Sequence, residues 1–188
     1  MLSSGMGVVS ASSPHQKPKS RSSAERDFEQ MSALVVFTSR SLHTARPRCF
    51  GASVVHTRTG KPLLHALNNV MGEYDPSSHA EVRAIRLATK KLRNISLAGY
   101  TLYTTCEPCP MCMGAALWAG LDRVVYGATI ADANLHFHQI RIPAAEVAER
   151  GDMRCVVDGP FLRKECYALF THPSMLKAIS RWATRKRR

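Results

Sequence analysis

Tyr100-Thr-Leu-Tyr-Thr-Thr-Cys-Glu-Pro-Cys-Pro-Met-Cys112 changes its period partway along. Residues 100–105 alternate and are rich in β-branched and aromatic side chains, which predicts a strand. From Pro108 to about Ala119 the pattern is helical, and Pro110 suits a first helical turn. A strand that runs straight into a helix is a building unit of α/β folds. Upstream, Phe50–His56 reads as a strand, Arg58–Pro62 as a turn and Leu63–Leu67 as the returning strand of a hairpin. Asn68–Ser78 reads as a polar loop. Helical spacing then runs from His79 to about Arg93, with Val82, Ile85, Ala88 and Leu92 on one face. Another helical stretch, Glu25 to about Leu42, precedes the hairpin. Downstream, Arg123–Gly127 and Met153–Val157 read as short strands, and Phe161–Phe170 and Ser174–Trp182 as helices. Strands alternating with helices predict an α/β sandwich whose sheet is covered on both faces.

At 188 residues the chain has the length of one ordinary domain. We place that domain at residues 25–183, between an N-terminal tail (1–24) and a basic C-terminal tail (184–188). Lys and Arg number 26 against 14 Asp and Glu, a formal charge of +12. Taken whole, that balance suggests a nucleic acid or an anionic membrane as partner. Its distribution argues otherwise. Lys17, Lys19 and Arg21 stand in an acid-free N-terminus, and Lys177, Arg181, Arg185, Lys186, Arg187 and Arg188 in an acid-free C-terminus. The body between them is almost balanced. No apolar run reaches the roughly 20 residues that span a bilayer, and no basic n-region precedes an apolar block as in a secretory signal. The Ser-rich start faintly resembles an organelle transit peptide, but a disordered tail, or an overlong start, is the plainer reading and is preferred. Three of the six cysteines, Cys106, Cys109 and Cys112, lie three apart. That spacing suits metal binding in a reducing compartment better than cross-linking, so the expected location is the cytoplasm.

Two segments carry the chemistry: His79-Ala-Glu81, and Pro108-Cys109-Pro-Met-Cys112 beginning about thirty residues later. Each opens a predicted helix, so both positive helix ends can face one point. His79, Cys109 and Cys112 are three ligands of the kind zinc takes, leaving a fourth tetrahedral position for water, the arrangement of a catalytic site. Zinc can lower the pKa of that water to about 7. Glu81 stands where it can move protons without ligating the metal. Two plainer readings compete. Ser78-His-Ala-Glu81 is also a capping box, with Ser78 as N-cap and Glu81 three residues on. Cys106 could also close the ligand set, giving a structural zinc site.

His-x-Glu followed by Pro-Cys-x-x-Cys is the pattern of zinc-dependent nucleobase deaminases. The segments Asp75–Ile85 and Thr105–Ala115 resemble the cytidine deaminase-like superfamily, and within it the guanine deaminase branch, over about Phe50–Arg123. The resemblance implies a three-layer α/β/α sandwich with a central five-stranded mixed sheet, and one Zn2+ per active site. It implies a homodimer, with C-terminal segments exchanged between copies. It further implies a nucleobase or nucleoside substrate, contacted by Asn68 and Phe50, with Ala80 and Pro108 also at the substrate.

Guanine, deaminated to xanthine and ammonia, is the first expectation. The Cys-Glu-Pro-Cys-Pro-Met-Cys string, the Asn68-Asn69 pair and Phe50-Gly-Ala52 resemble that branch. The similarity to guanine deaminases weakens after Asp132. Glu146 there resembles a second catalytic carboxylate of one purine and aminotriazine deaminase subgroup; it could equally be a helix-surface residue paired with Arg150. His136, Phe137 and His138 lie in the stretch expected to cover the site. The alternatives are a tRNA-specific adenosine deaminase, kept open by the basic C-terminus, and a non-catalytic zinc-stabilised binding protein. Neither a membrane nor, in the first reading, a nucleic acid is an expected partner.

Overall fold

The computed structural model describes residues 22–185. The expected N-terminal tail therefore lies almost wholly outside the described residues, and so does most of the basic C-terminal tail. Helix α1 (Ser23–Arg40) opens on a capping box. The Ser22 hydroxyl accepts the Glu25 N–H at 3.2 Å, and the Glu25 carboxylate accepts the Ser22 N–H at 2.8 Å. That reciprocal cap starts the helix two residues before the position its apolar spacing predicts.

The hairpin follows as β1 (Gly51–His56) and β2 (Pro62–Leu67). Within the expected loop, Val70–Glu73 winds into a single helical turn, α2. Helix α3 (Ala80–Leu92), β3 (Tyr100–Cys106), α4 (Pro110–Trp118) and β4 (Arg123–Ala128) then come in the predicted order. Two short helices intervene, α5 (Ile130–Asn134) and α6 (Ala144–Arg150). The last elements are β5 (Val156–Asp158), α7 (Arg163–Thr171) and α8 (Pro173–Arg185). Strand β5 is shorter than the expected 153–157. It pairs with β4 only from Arg123↔Val156 to Val125↔Asp158, so Met153–Cys155 has no ladder to join.

The five strands are ordered β2-β1-β3-β4-β5. Strand β1 runs antiparallel to β2 and β3, while β3, β4 and β5 are parallel, which makes the sheet mixed. Alternating side chains send β-strand residues to two cores. On one face Val54, Leu102 and Val124 pack with Ala84 and Ala88 of α3, Met113 and Ala116 of α4, and Ala148 of α6. On the other, Val55, Tyr103 and Val125 pack with Met31 and Leu34 of α1 and with Leu169 and Phe170 of α7. The three-layer α/β/α sandwich is thus present. Two glycines permit the closest layer contacts. A Cβ on Gly51 would lie 2.0 Å from Thr38 Oγ1 of α1, and one on Gly127 would lie 2.2 Å from Cys166 Sγ of α7. No helix among the described residues is long and apolar enough to cross a membrane.

Candidate active site

Strand register brings the expected site residues to one end of the sheet. Gly51 pairs with Leu67, Ala52 with Thr104 and Cys106 with Ala128. Phe50 and Asn68, just beyond the hairpin's paired residues, and the loop following Cys106 therefore emerge together. The Asn68 N–H donates to the Phe50 carbonyl at 3.0 Å. At this end α4 starts with Cys109 as its N-cap, and α3 starts with His79 as its N-cap.

The side chains of those two N-caps meet. Cys109 Sγ lies 3.6 Å from Cys112 Sγ and 3.7 Å from His79 Nδ1, and Cys112 Sγ lies 3.5 Å from His79 Nδ1. A tetrahedral zinc ion with Zn–S of about 2.3 Å and Zn–N of about 2.05 Å requires S···S near ~3.8 Å and S···N near ~3.6 Å. The triad fits zinc before any side chain moves. His79, Cys109 and Cys112 are also the one group of three or more potential metal ligands gathered this closely among the described residues. The hydrogen bond with Cys112 is the main cause that holds the Cys109 thiol down at about 4, with His79 contributing, while Cys112 is pushed up by the same bond and by burial. The His79 imidazole is raised, chiefly by its bond to Cys109. One thiolate and a neighbouring donor thus share the site at neutral pH.

Glu81 follows on the first turn of α3 and is 6% exposed. Burial pushes its carboxyl up, against the pull of a hydrogen bond from its own backbone and of the nearby His79. The neighbouring Thr104 side chain also pulls the Glu81 carboxyl down, without outweighing burial. A carboxyl whose proton affinity is raised beside a metal-type triad is suited to proton transfer.

The competing readings of this segment do not hold. Ser78 is not the N-cap of α3; its hydroxyl bonds the carboxylates of Glu73 and Asp75, the latter at 3.0 Å. The capping box is absent, because Glu81 turns inward. Cys106 does not close the ligand set. Its thiol points to the Thr129 carbonyl at 3.9 Å, and it belongs to the core on the opposite face.

The expected substrate-contact residues divide. Ala80 and Pro108 are buried next to the ligands. Phe50 meets Phe137 edge-on at 5.0 Å and Phe170 at a tilt at 5.2 Å between ring centroids. His136 joins this aromatic group through a 3.0 Å bond to the Tyr167 hydroxyl. The Asn68 side chain accepts the Val70 N–H at 3.1 Å and so supports the turn of α2. On α6, Glu146 pairs with Arg150 one turn on, at 2.8 Å, as helix spacing allows.

Two features escaped the sequence. Glu107 accepts backbone N–H groups from the starts of both α5 and α6. The loop before His79 is held by a polar network in which Glu73 accepts from Asn69 at 3.0 Å and from Arg83 at 2.9 Å, and Arg48 donates to Asn69 at 2.5 Å. The only available signal was the density of charged and amide side chains in that stretch.

The family model of the cytidine and deoxycytidylate deaminase zinc-binding region matches residues 24–128. A guanine deaminase of Bacillus subtilis is 48% identical over 84 residues, 45% of this chain and 53% of that protein. A tRNA-specific adenosine deaminase of Buchnera aphidicola is 45% identical over 62 residues, 33% of this chain and 38% of that protein. The match thus spans about half the length of these curated relatives, or less. Among solved structures, a guanine deaminase from Nitrosomonas europaea shares the fold, with a TM-score of 0.68 at 22% identity over 79% of this chain and 81% of that one.

Proposed function

We propose that this chain, which belongs to the cytidine and deoxycytidylate deaminase family by its zinc-binding region, hydrolyses an exocyclic amine from a nucleobase, guanine first, giving xanthine and ammonia. The observation that carries the reading is the triad's spacing at two helix starts, with Glu81 buried beside it. The 48% identity to a guanine deaminase supports guanine as the first base to test.

Zinc bound by His79, Cys109 and Cys112 would supply Lewis-acid activation of water at neutral pH. The chain's own groups do the rest. Glu81 accepts a proton from the attacking water, whose oxygen forms a bond to C2 of the base. Glu81 delivers that proton to a ring nitrogen, then takes the remaining proton from the hydroxyl now on C2 and passes it to the amine as the C–N bond breaks and the C2 carbonyl forms. Both protons originate in the water, so the books close on xanthine plus ammonia. Phe50 and the buried surface of Ala80 and Pro108 form the walls for a flat heterocycle, and Asn68 hydrogen-bonds its edge. Glu146 acts as a second relay only if its carboxylate leaves Arg150.

The test is ammonia release from guanine, guanosine, adenine, ammeline and cytosine, with chelated protein as control. Glu81→Gln should abolish turnover while zinc stays bound. Near-normal turnover in that variant would remove the proton-shuttle role, and no release from any base would leave a zinc-stabilised binding protein. A second reading, tRNA adenosine deamination, is favoured by the similarity to a tRNA-specific enzyme and by the basic C-terminus. Gel-shift titration against tRNA at two salt concentrations separates it, because phosphate binding weakens steeply with salt. The thiol-rich site favours a reducing, cytoplasmic setting. The resemblance supports a homodimer with exchanged C-terminal segments, which sedimentation would test.

A further inference from the structure

We propose that Glu107 is a positioning residue. By this inference, its carboxylate fixes residues 130–144, which include the stretch expected to cover the site, to the loop that carries the metal ligands. The kinetic part of this inference rests on the deaminase reading above; the structural part does not.

The residue stands between the end of β3 and Pro108, so its backbone is set by the sheet. Its N–H donates to the Ala128 carbonyl at 2.7 Å, continuing the β3–β4 pairing past Cys106. The side chain then bridges two places far along the chain. Oε2 accepts the Ile130 N–H at 3.0 Å, and Oε1 accepts the Ala144 N–H at 3.0 Å. Ile130 and Ala144 are the first residues of α5 and α6. Their N–H groups have no partner within their own helices. Helix α6 has Pro143 as its N-cap, with no side-chain cap, so Glu107 satisfies a donor that its own sequence cannot. Both bonds are charge-assisted, the stronger class of hydrogen bond.

One carboxylate thus pins both ends of residues 130–144. Within that span the Phe137 N–H donates to the Ala133 carbonyl at 2.8 Å, and the Phe137 ring packs on Phe50 at 5.0 Å and on Phe170 at 5.9 Å. The contacts run without a break from the ligand loop, through Glu107 and α5, to Phe137 and Phe50. Glu107 bonds backbone groups at both ends of this segment and does not enter the hydrogen bonds among His79, Cys109 and Cys112, so its role is to set where the segment stands and not the chemistry.

Glu107→Gln keeps the shape but leaves an NH2 group facing one backbone N–H. Glu107→Asp keeps the charge but is a methylene shorter, and it can hold only one of the two donors. The expected result for Glu107→Gln has three parts. The zinc-to-protein ratio stays at the wild-type value. Hydrogen exchange accelerates within residues 129–147 and not elsewhere. KM for guanine rises about tenfold, the scale of one lost charge-assisted hydrogen bond, while kcat changes less than about threefold. Glu107→Asp should fall between Gln and wild type on exchange and KM. Exchange and KM at wild-type values would overturn the assignment. So would lost zinc, exchange accelerated evenly along the chain, or a fall in kcat at constant KM, since each reports a general structural or chemical role. If the wild type turns over no base at all, the deaminase reading falls, and exchange at 129–147 alone then decides the role of Glu107.

Discussion

Asp27 on α1 carries an unusual electrostatic load. It is 5% exposed, and its carboxylate accepts from the Tyr103 hydroxyl at 2.6 Å and from Arg123 Nη1 and Nη2 at 2.8 and 2.9 Å. Arg123 also reaches Asp158 through Nε, so one network joins α1, β3, β4 and β5. Burial and Asp27 together push the Tyr103 hydroxyl up, which keeps it a protonated donor throughout the neutral range. Asp27→Ala leaves a guanidinium and a phenol facing an apolar gap. Breaking a buried ion pair from one side costs about 3–5 kcal/mol. Arg123 is 24% exposed and keeps Asp158, so water and the second carboxylate recover part of that. We expect about 2–4 kcal/mol, which for a chain of this size lowers Tm by about 5–12 °C.

The assay is thermal and urea unfolding of Asp27→Ala, Arg123→Met and the double variant, each loaded with zinc. Met fills the guanidinium's volume without its charge, so the double variant should be at least 1 kcal/mol more stable than the two single losses predict when added; the ~1 kcal/mol is the scale expected for partners in one network. The network begins at Arg123, at the end of β4 away from Ala128, so zinc content should not change. A loss under about 0.5 kcal/mol in Asp27→Ala, or additive single losses, would refute the reasoning.

Other perturbations have equally definite outcomes. Gly51→Ala should cost about 1–3 kcal/mol, because its Cβ meets Thr38 Oγ1; Thr38→Ala should recover most of it in urea titrations, since that buried hydroxyl has no hydrogen-bond partner. Glu73 is drawn down to about 2, first by its bond from Ser78, and Asp75 to about 2, first by Ser77. Carboxyls depressed in the folded state stabilise fully above their unfolded pKa and lose that contribution as pH falls through the folded one. The contribution of these two carboxyls should therefore be constant above about pH 5 and be lost between about pH 4.5 and 2; Ser78→Ala should make this acid limb of the melts shallower than in the wild type, and an unchanged limb would count against the assignment. Chelation should lower Tm and stop ammonia release, and added zinc should restore both, as read by calorimetry and an ammonia assay.

The fold was legible wherever one residue period persisted long enough to bury a face. The β1–β2 hairpin, α3, the β3-to-α4 junction and β4 follow directly from alternation or helical spacing. The short elements behaved differently. α5 and α6 have five and seven residues, too few for a helical stripe to show against loop composition. α5 is instead set by its own capping box, in which the Thr129 hydroxyl accepts the Asp132 N–H at 3.1 Å. Strand β5 starts where its parallel partner β4 starts, at Arg123↔Val156, a limit set by pairing and not by the propensity of Met153–Val157.

Within the site, legibility followed chemistry rather than distance. The metal-type ligands come from two helices thirty residues apart, yet each half announces itself, because imidazole and thiol side chains at helix starts have few other uses. Carboxylates do not announce themselves. Glu81, Glu107 and Glu146 are the same residue type in a chain with many acids, and only tertiary contacts separate them. Glu81 is buried beside the triad, Glu107 holds two distant backbone N–H groups, and Glu146 lies one turn from Arg150. A sequence pattern can rank Glu81 because His79 is two residues away and fixes its context. It has no comparable handle on Glu107, whose partners lie 23 and 37 residues downstream. The same reasoning gives Glu146 a test. If it serves the reaction, Arg150→Ala must leave kcat intact or raise it by freeing the carboxylate, while Glu146→Gln must lower kcat at unchanged zinc content. If both variants leave kcat at the wild-type value, Glu146 is only the surface partner of Arg150, and Glu81 carries every proton transfer in the site.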